Sequence, residues 1–262
     1  MILTLLFTVL SGLITALVYS SATLSLWWVL PLWLGFYLAA GLLYIVVIFG
    51  VWLIMPQKDP TPRGRYICHR FIKLTLSWIL SLLGMRITLT GAETLPQTPF
   101  LLVGNHRSAF DPLCTAAVLT KQDIVFVAKP GVMNLPLLGT ILRHLHFLAI
   151  DRENARNAVT TIKRAAELMK DVGLSVGIYP EGTRNKGTDL LPFHAGSFKI
   201  AKLAACPVAV ATVRYEKHGL LPWNKRVQIH IVDIMDTAFV AENNTAAMSE
   251  RAEAAIRADM GL

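Results

Sequence analysis

The stretch FLLVGNHRSAFDP, residues 100–112, decides the fold expected for this chain. Its first five residues, Phe100–Gly104, form an apolar run that ends in glycine, which predicts a short buried strand. Pro112 is a preferred residue in the first turn of a helix, so a helix is expected to follow. His106 therefore falls in a loop at the carboxyl end of a strand, where α/β sheets tend to place their functional sites.

Outward from this stretch, short β-type runs alternate with helical ones. The candidate strands are Arg86–Thr90, Phe100–Gly104, Ile124–Ala128, Phe147–Ile150, Leu174–Tyr179, Val208–Val213 and Val227–Val232. The candidate helices are Pro112–Thr120, Ala155–Asp171, Phe198–Ala205 and Thr245–Met260. This alternation is typical of the α/β class. Residues 86–262 are therefore predicted to form an α/β domain, with a mixed, mostly parallel sheet flanked by helices.

The amino-terminal part of the chain has a different composition. No Asp, Glu, Lys, Arg or His occurs before Lys58, and the apolar runs Ile2–Tyr19 and Trp27–Met55 are each long enough to cross a hydrocarbon core of about 30 Å. Residues 1–57 are therefore predicted to be a membrane anchor of two hydrophobic helices. A cleaved signal peptide over residues 1–22 is the alternative, although no basic residue precedes its apolar run.

Residues 58–85 predict a basic linker and an amphipathic helix. The cations Lys58, Arg63, Arg65, Arg70 and Lys73 are opposed only by Asp59, which is the bias found on the cytoplasmic side of membranes. The large domain is therefore expected to face the cytoplasm, beneath a cell membrane. The apolar positions of Arg65–Met85 suit a helix lying at the interface, and they equally suit a helix packed on the domain's own core.

His106 and Asp111 are the candidate proton-transfer residues. A carboxylate five residues after a histidine can accept a hydrogen bond from Nδ1–H, set the tautomer and leave Nε2 free to take a proton from a hydroxyl. Asp111 also directly precedes Pro112, a place that suits a simple helix cap. The spacing alone leaves both interpretations open.

A second block, LSVGIYPEGTR at residues 174–184, ends another predicted strand. Gly182 permits a tight turn there, and the guanidinium of Arg184 can bind a phosphate through two parallel N–H donors. Lys129 and Arg152 follow two further predicted strands. Polar residues at four strand ends favour an anion-binding site, whereas a surface turn with a Glu181–Arg184 ion pair is the plainer alternative.

Several other classes of site and partner are disfavoured. Three widely spaced cysteines, Cys68, Cys114 and Cys206, predict neither a disulfide framework nor zinc binding, and His144 with His146 lacks a third ligand at useful spacing. The isoelectric point near 9.6 alone suggests nucleic acid, but the excess charge clusters beside apolar segments and no nucleic-acid motif is present. We therefore expect no metal and no nucleic-acid partner.

The motifs, taken in order, resemble a known family. They are Asn105–His106 with Asp111, Lys129 with Pro136 and Gly139, Ile150–Asp151–Arg152, Glu181–Gly182–Thr183–Arg184 and Cys206–Pro207–Val208. Together with Gly91–Pro96 they look like the ordered blocks of the glycerolipid acyltransferases, above all the 1-acyl-sn-glycerol-3-phosphate acyltransferases. The resemblance covers roughly residues 86–215 and leaves out residues 1–57 and the tail after Lys217.

The resemblance implies a role for each motif. His106 would be the general base that deprotonates the free hydroxyl of lysophosphatidic acid, with Asp111 holding it in place. Glu181, Gly182, Thr183 and Arg184 would position the glycerol phosphate, with Lys129 and Arg152 as further candidates. The hydroxyl would attack a fatty acyl thioester directly, giving phosphatidic acid in phospholipid biosynthesis. No cofactor is implied beyond the co-substrate, acyl-CoA or acyl carrier protein.

Alternatives remain at the sequence level. The acceptor could instead be another lysolipid or glycerol 3-phosphate, and a membrane lipid-binding protein without catalysis could keep the same fold. Neither the acyl-chain preference nor the choice between coenzyme A and acyl carrier protein can be read from the motifs.

Overall fold

The chain divides into two compact units in a computed structural model, Met1–Ser81 and Leu82–Leu262. The structure describes residues 2–22, 24–54, 62–134, 139, 142, 146–150, 155–220 and 225–262, and the side chains among them except those of residues 2, 48, 51–54, 62–69 and 155. The second unit begins four residues before the predicted start of the α/β domain at residue 86.

The first unit contains three helices, α1 (Ile2–Ser21), α2 (Val29–Ile54) and α3 (Pro62–Leu82, whose last residue belongs to the second unit). The segments Leu3–Ser21 and Leu26–Val47 are long and apolar enough to cross a membrane. A short 3₁₀ turn, Leu26–Trp28, precedes α2. These helices agree with the two hydrophobic helices expected before residue 57.

Aromatic packing joins the three helices of the first unit. Trp78 of α3 is buried against Phe7 of α1, with ring centroids 5.3 Å apart, and its Nε1–H donates to the Tyr37 hydroxyl of α2 at 3.2 Å. A Cβ at Gly41 would come within 2.5 Å of the Trp78 ring, so glycine is needed where the ring crosses α2. Trp78, one of the apolar positions of the predicted amphipathic helix, thus packs on the two hydrophobic helices.

The second unit holds a seven-stranded sheet in the order β1-β7-β6-β2-β5-β3-β4. Its strands are β1 (Arg86–Thr90), β2 (Leu101–Gly104), β3 (Ile124–Ala128), β4 (Leu148–Ala149), β5 (Ser175–Ile178), β6 (Val208–Lys217) and β7 (Lys225–Met235). All neighbouring strands are parallel except β6 and β7, which form an antiparallel pair. The predicted mixed, mostly parallel sheet is confirmed.

Helices cover both faces of this sheet, as the α/β class requires. They are α4 (Asp111–Val118), α5 (Pro130–Met133), α6 (Ala155–Glu167, continued by a π turn at Leu168–Val172), α7 (Lys199–Ala204), α8 (Thr237–Glu242) and α9 (Thr245–Met260). The helix α8 was not predicted; the carboxylate of Asp236 caps it by accepting from the Phe239 N–H at 2.8 Å.

Fully buried apolar residues on β2, β5 and β6 form the centre of the core, together with residues of α6 and α9. Gly177 leaves space for the Phe126 ring, which a Cβ there would meet at 2.2 Å. The strands β2 to β6 all end at one edge of the sheet, which we call the carboxyl edge; β7 and β1 run the other way and begin there. This edge carries the loops that hold the predicted site residues.

Candidate active site

The site begins where β2 ends. Asn105 is fully buried and its amide pairs with the backbone of Val213 on β6, donating to the carbonyl at 3.0 Å and accepting from the N–H at 2.7 Å. This two-way pairing extends the β2–β6 contact by one residue beyond the strand. It fixes the point from which the next residue, His106, leaves the sheet.

His106 and Asp111 form a hydrogen-bonded pair. His106 Nδ1 lies 2.7 Å from Asp111 Oδ2; the carboxylate is fully buried and the imidazole side chain is 18% exposed. A carboxylate can only accept, so Nδ1 donates and Nε2 carries the free lone pair. The arrangement leaves one nitrogen of a partly exposed imidazole able to accept a proton.

The Asp111 carboxylate is held by three further donors. Oδ2 also accepts from the N–H groups of Arg107 at 2.7 Å and Ser108 at 2.9 Å, and Oδ1 accepts from the Tyr215 hydroxyl at 2.7 Å. The helix α4 begins at Asp111 itself, and no side-chain cap is present there. The interpretation of Asp111 as a simple helix cap is therefore wrong: its side chain turns back onto the loop that carries His106.

Aromatic rings support the imidazole from one side. The Tyr179 ring stacks on the His106 ring, with centroids 4.5 Å apart and an interplanar angle of 12°. The Phe126 ring in turn stacks on Tyr179, with centroids 5.9 Å apart and an angle of 9°. Burial, and next the neighbouring Asp111 carboxylate, hold the pKa of Tyr179 well above its usual range. The tyrosine is therefore a neutral platform that fixes the plane of the His106 ring.

Glu181 connects the two sequence blocks directly. Its carboxylate is 3% exposed; Oε1 accepts from the His106 N–H at 2.6 Å, and Oε2 accepts from Asn185 Nδ2 at 2.9 Å and the Leu191 N–H at 3.0 Å. The Asn185 N–H in turn donates to the His106 carbonyl at 2.7 Å. The structure thus places the Glu181–Arg184 turn beside His106, seventy-five residues away in sequence.

The remaining members of that turn face outward. Gly182 has a φ of +79°, a left-handed conformation that favours glycine, and its N–H donates to the Tyr179 carbonyl at 3.1 Å. Thr183 and Arg184 are exposed. Arg184 directly precedes Asn185, whose N–H is bonded to the His106 carbonyl, so the backbone of Arg184 lies next to the loop that carries His106.

Of the two other predicted cations, Lys129 lies within the described residues and Arg152 does not. Lys129 is exposed and caps the short helix α5 at the end of β3, two strands from β2 and so roughly 10 Å away along the sheet. Arg152 lies outside the described residues, as does His144. Of the predicted strand Phe147–Ile150, only Leu148–Ala149 forms β4. His146 lies before this strand, with a φ of +60°, and is not part of it. Among the described residues, no three His, Cys, Asp or Glu side chains converge on a point that could hold a metal.

Two residues of the site are not predicted by the sequence motifs. Tyr215 reaches Asp111 from β6, a strand predicted to end at Val213, and burial followed by the nearby Asp111 charge raises its pKa, so it remains a donor. Cys114, on α4, is buried beside it, and burial raises the pKa of its thiol to about 12. Neither residue lies in a recognisable motif; only the period-two continuation of β6 through Val213 and Tyr215 could have pointed to the tyrosine.

Comparisons with known proteins show what this chain is similar to. The Acyltransferase family model matches residues 86–215. The chain is 29% identical over 177 residues to the 1-acyl-sn-glycerol-3-phosphate acyltransferase of Borreliella burgdorferi, covering 65% of this chain and 68% of that protein. It is 31% identical over 147 residues to the protein of the same name from Haemophilus influenzae, covering 55% and 61%.

A solved structure shares the fold over nearly the whole chain. The crystal structure of the 1-acyl-sn-glycerophosphate (LPA) acyltransferase PlsC from Thermotoga maritima matches with a TM-score of 0.67 and 18% sequence identity, covering 98% of this chain and 96% of that one. This similarity extends to the two N-terminal helices, which lie outside the matched family domain.

Proposed function

The chain belongs to the acyltransferase family, and we propose on that premise that it transfers a fatty acyl group from a thioester to the free hydroxyl of lysophosphatidic acid, giving phosphatidic acid. The observation that carries the proposal is the 2.7 Å His106–Asp111 hydrogen bond, which leaves Nε2 free beside the Glu181–Arg184 turn. A base and a cationic turn at one edge suit an acceptor that has both a hydroxyl and a phosphate.

In the proposed reaction, His106 Nε2 takes the proton from the acceptor hydroxyl as its oxygen attacks the thioester carbonyl. The C–S bond then breaks, and the leaving sulfur receives that proton from the imidazolium. The products are an ester and a free thiol, with no acyl-enzyme intermediate. The charge that forms on the imidazolium is stabilised by the Asp111 carboxylate and by the face of the Tyr179 ring.

The phosphate of the acceptor is proposed to bind to the exposed part of the turn. Arg184 supplies a planar, bidentate donor, with Gly182 and Thr183 beside it. Lys129, at the same edge, and Arg152, from the sequence motif alone, are proposed as further phosphate-binding cations. Glu181 belongs to this block but is itself anionic and bonded on both oxygens. Its proposed contribution is to position His106 and the turn, not to touch the phosphate.

The first unit is proposed to hold the enzyme in a cell membrane, with the catalytic unit on the cytoplasmic side. Both substrates carry acyl chains, so an anchored enzyme meets them where they reside. The basic bias of Lys58 to Lys73 supports that orientation. The donor is proposed to be acyl-CoA or acyl carrier protein, without any further cofactor.

The test uses the purified full chain with lysophosphatidic acid and either thioester donor, following release of free thiol at neutral pH. We expect turnover with at least one donor, and loss of nearly all of it in His106→Ala, which should still unfold in a cooperative thermal transition. Turnover with another lysolipid and none with lysophosphatidic acid would replace the acceptor. Absence of turnover with every acyl acceptor, or full activity in His106→Ala, would overturn the proposal.

A further inference from the structure

The carboxyl edge of the sheet carries a second charged surface, on the far side of Tyr215 from the catalytic pair. We call it the basic corner and define it by Arg86 at the start of β1, Lys217 at the end of β6, Lys225 and Arg226 at the start of β7, and Leu220 between the last two strands. None of these residues has a role in the proposed reaction. The corner therefore requires an explanation of its own.

Like charges are placed next to each other in the sheet at this corner. Lys217 and Lys225 are direct cross-strand partners on β6 and β7, and Arg86 is the register neighbour of Arg226 on β1 and β7. Like charges in such positions repel one another and reduce stability in water. Within the described segments of the corner, Glu216 is the acidic residue, and it lies 3.8 Å from Arg226. Four cations against one carboxylate leave the corner strongly positive.

The cations project from both faces of the sheet. Successive residues of a strand alternate between faces, so Lys217 and Lys225 lie on one face while Arg86 and Arg226, with Glu216, lie on the other. A ligand bound on one face of the sheet would meet only half of this charge. What the four cations share is the edge itself, which suits a broad, flat anionic surface approached end-on.

An exposed apolar side chain lies in the connection between β6 and β7. Leu220 is 97% exposed, the largest exposed fraction among the exposed large apolar residues of the second unit. Water is an unfavourable environment for such a side chain, and a lipid phase would remove it from water. An exposed leucine that follows Lys217 and precedes Lys225 in the chain matches the composition of surfaces that bind anionic bilayers.

The chain enters the second unit at the same place. The unit begins at Leu82, four residues before Arg86, so its covalent connection to the apolar first unit leaves from the basic corner. The two apolar segments precede this connection in the chain, and the helix α3 (Pro62–Leu82) lies between the second of them and Arg86. A bilayer that holds those segments is the anionic surface most readily available to it.

We propose that the basic corner is a membrane-contacting surface, in which Arg86, Lys217, Lys225 and Arg226 bind anionic lipid headgroups while Leu220 enters the bilayer. The proposal rests on the anchoring of the chain in a membrane and not on the acyl-transfer reaction. It assigns to β1, β6 and β7 the task of orienting the catalytic edge toward the lipid. It applies equally to any acceptor that the site uses.

The test places an environment-sensitive fluorophore at the tip of the corner. The full chain carrying Leu220→Cys and Cys68→Ser is labelled and placed in nanodiscs of phosphatidylcholine alone or with phosphatidylglycerol. Cys114 and Cys206 remain unlabelled because burial raises the pKa of their thiols to about 12 and about 11. Leu203→Cys is the matched control, because Leu203 is also exposed, at 44%. It lies on α7, directly before the start of β6, and so at the edge of the sheet opposite the basic corner.

We expect the Leu220 label to emit at shorter wavelength, and to be quenched by nitroxide-bearing lipid, when phosphatidylglycerol is present. The Leu203 label should report water in both discs. Lys217→Glu with Lys225→Glu should weaken the anionic-lipid response by roughly ten-fold or more. The control variant, Lys121→Glu with Lys170→Glu, makes the same change in net charge near the amino ends of β3 and β5. It should leave the response of the Leu220 label to anionic lipid intact.

Three results would overturn the proposal. One is a Leu220 label that reports water in anionic discs. Another is an equal loss of response in the Lys121 and Lys170 variant, which would make the effect one of net charge alone. The third is a label that ignores lipid but responds to purified acyl carrier protein, which would make the corner a protein-docking surface. The folding of each variant is checked by its thermal unfolding midpoint, and the readout does not depend on acyl transfer.

Discussion

The Tyr215 hydroxyl donates a 2.7 Å hydrogen bond to Asp111 Oδ1, joining β6 to the first turn of α4 across 104 positions of sequence. Together with the bonds from His106, Arg107 and Ser108, it gives a fully buried carboxylate four donors. A buried charge is tolerated only when its hydrogen-bonding capacity is filled. Tyr215 is therefore part of what holds the Asp111 carboxylate in place and directed toward the imidazole.

Tyr215→Phe should lower kcat by roughly ten-fold or more, with little change in KM, because loss of a hydrogen bond to a charged group costs about 1.5–3 kcal/mol. The measurement is steady-state kinetics of the full chain in detergent. The matched control is Tyr179→Phe, since the Tyr179 hydroxyl faces Thr115 without a hydrogen bond of normal geometry among the described residues. That control should keep both activity and stability; equal losses in the two variants would contradict the prediction.

Glu181→Gln should disturb the position of His106. The carboxylate accepts from three donors, and a glutamine amide can replace only one oxygen, so buried N–H groups are left without an acceptor. We expect a loss of about 1–3 kcal/mol in stability and a marked fall in kcat, measured by thermal unfolding and kinetics. Glu242→Gln, an exposed change on α8, is the control. A raised KM with unchanged stability would show instead that Glu181 contacts the substrate.

Arg184→Ala should raise KM for lysophosphatidic acid roughly ten-fold or more, because a bidentate charged contact to phosphate is lost. The same variant should use a phosphate-free acceptor such as monoacylglycerol no worse than the parent chain. Lys186→Ala, two residues away and also exposed, controls for a general loss of positive charge. An equal loss with both acceptors would assign Arg184 a structural role in the turn.

The fold was predictable where apolar runs are continuous. β3 has the predicted bounds, and β2 and β5 fall within the predicted runs, because buried parallel strands read as uninterrupted apolar segments. The edge strand β1 also has its predicted bounds, although its residues alternate between exposed and partly buried. β6 and β7 extend well beyond their predicted ends. Their outer halves contain charged residues that pair across the antiparallel hairpin, as Glu216 does with Arg226, and a search for apolar runs cannot detect them.

The site was predictable to the extent that it lies at strand ends. The meeting of His106 with the Glu181 turn follows from β2 and β5 being parallel neighbours. Tyr215 is not predicted as a site residue, because it follows the polar Arg214 on a strand whose apolar run stops at Val213. The role of Asn105 as a backbone-like partner of Val213 also requires knowledge that β6 lies beside β2. Both residues depend on sheet order, which local sequence does not contain.

Raising the pH should destabilise the second unit through its buried thiols. Burial raises the pKa of Cys114 to about 12 and of Cys206 to about 11, whereas an unfolded thiol ionises near pH ~8.5. Above that pH the unfolded chain releases protons that the folded chain retains, so stability falls with rising pH by up to about 1.4 kcal/mol per unit for each thiol. Below about pH 8 the thiols contribute no pH dependence.

The measurement compares chemical unfolding at pH 7.5 and 10 in a Cys68→Ser background and in the same background with Cys206→Ala. Lysines and tyrosines titrate in the same interval, so the informative quantity is the difference in slope between the two chains. Cys206→Ala should lower stability at both pH values, because it removes a buried side chain, but its decline with pH should be shallower. Identical slopes, or rapid alkylation of Cys206 in the folded protein at pH 8, would show that this thiol is accessible and ionised.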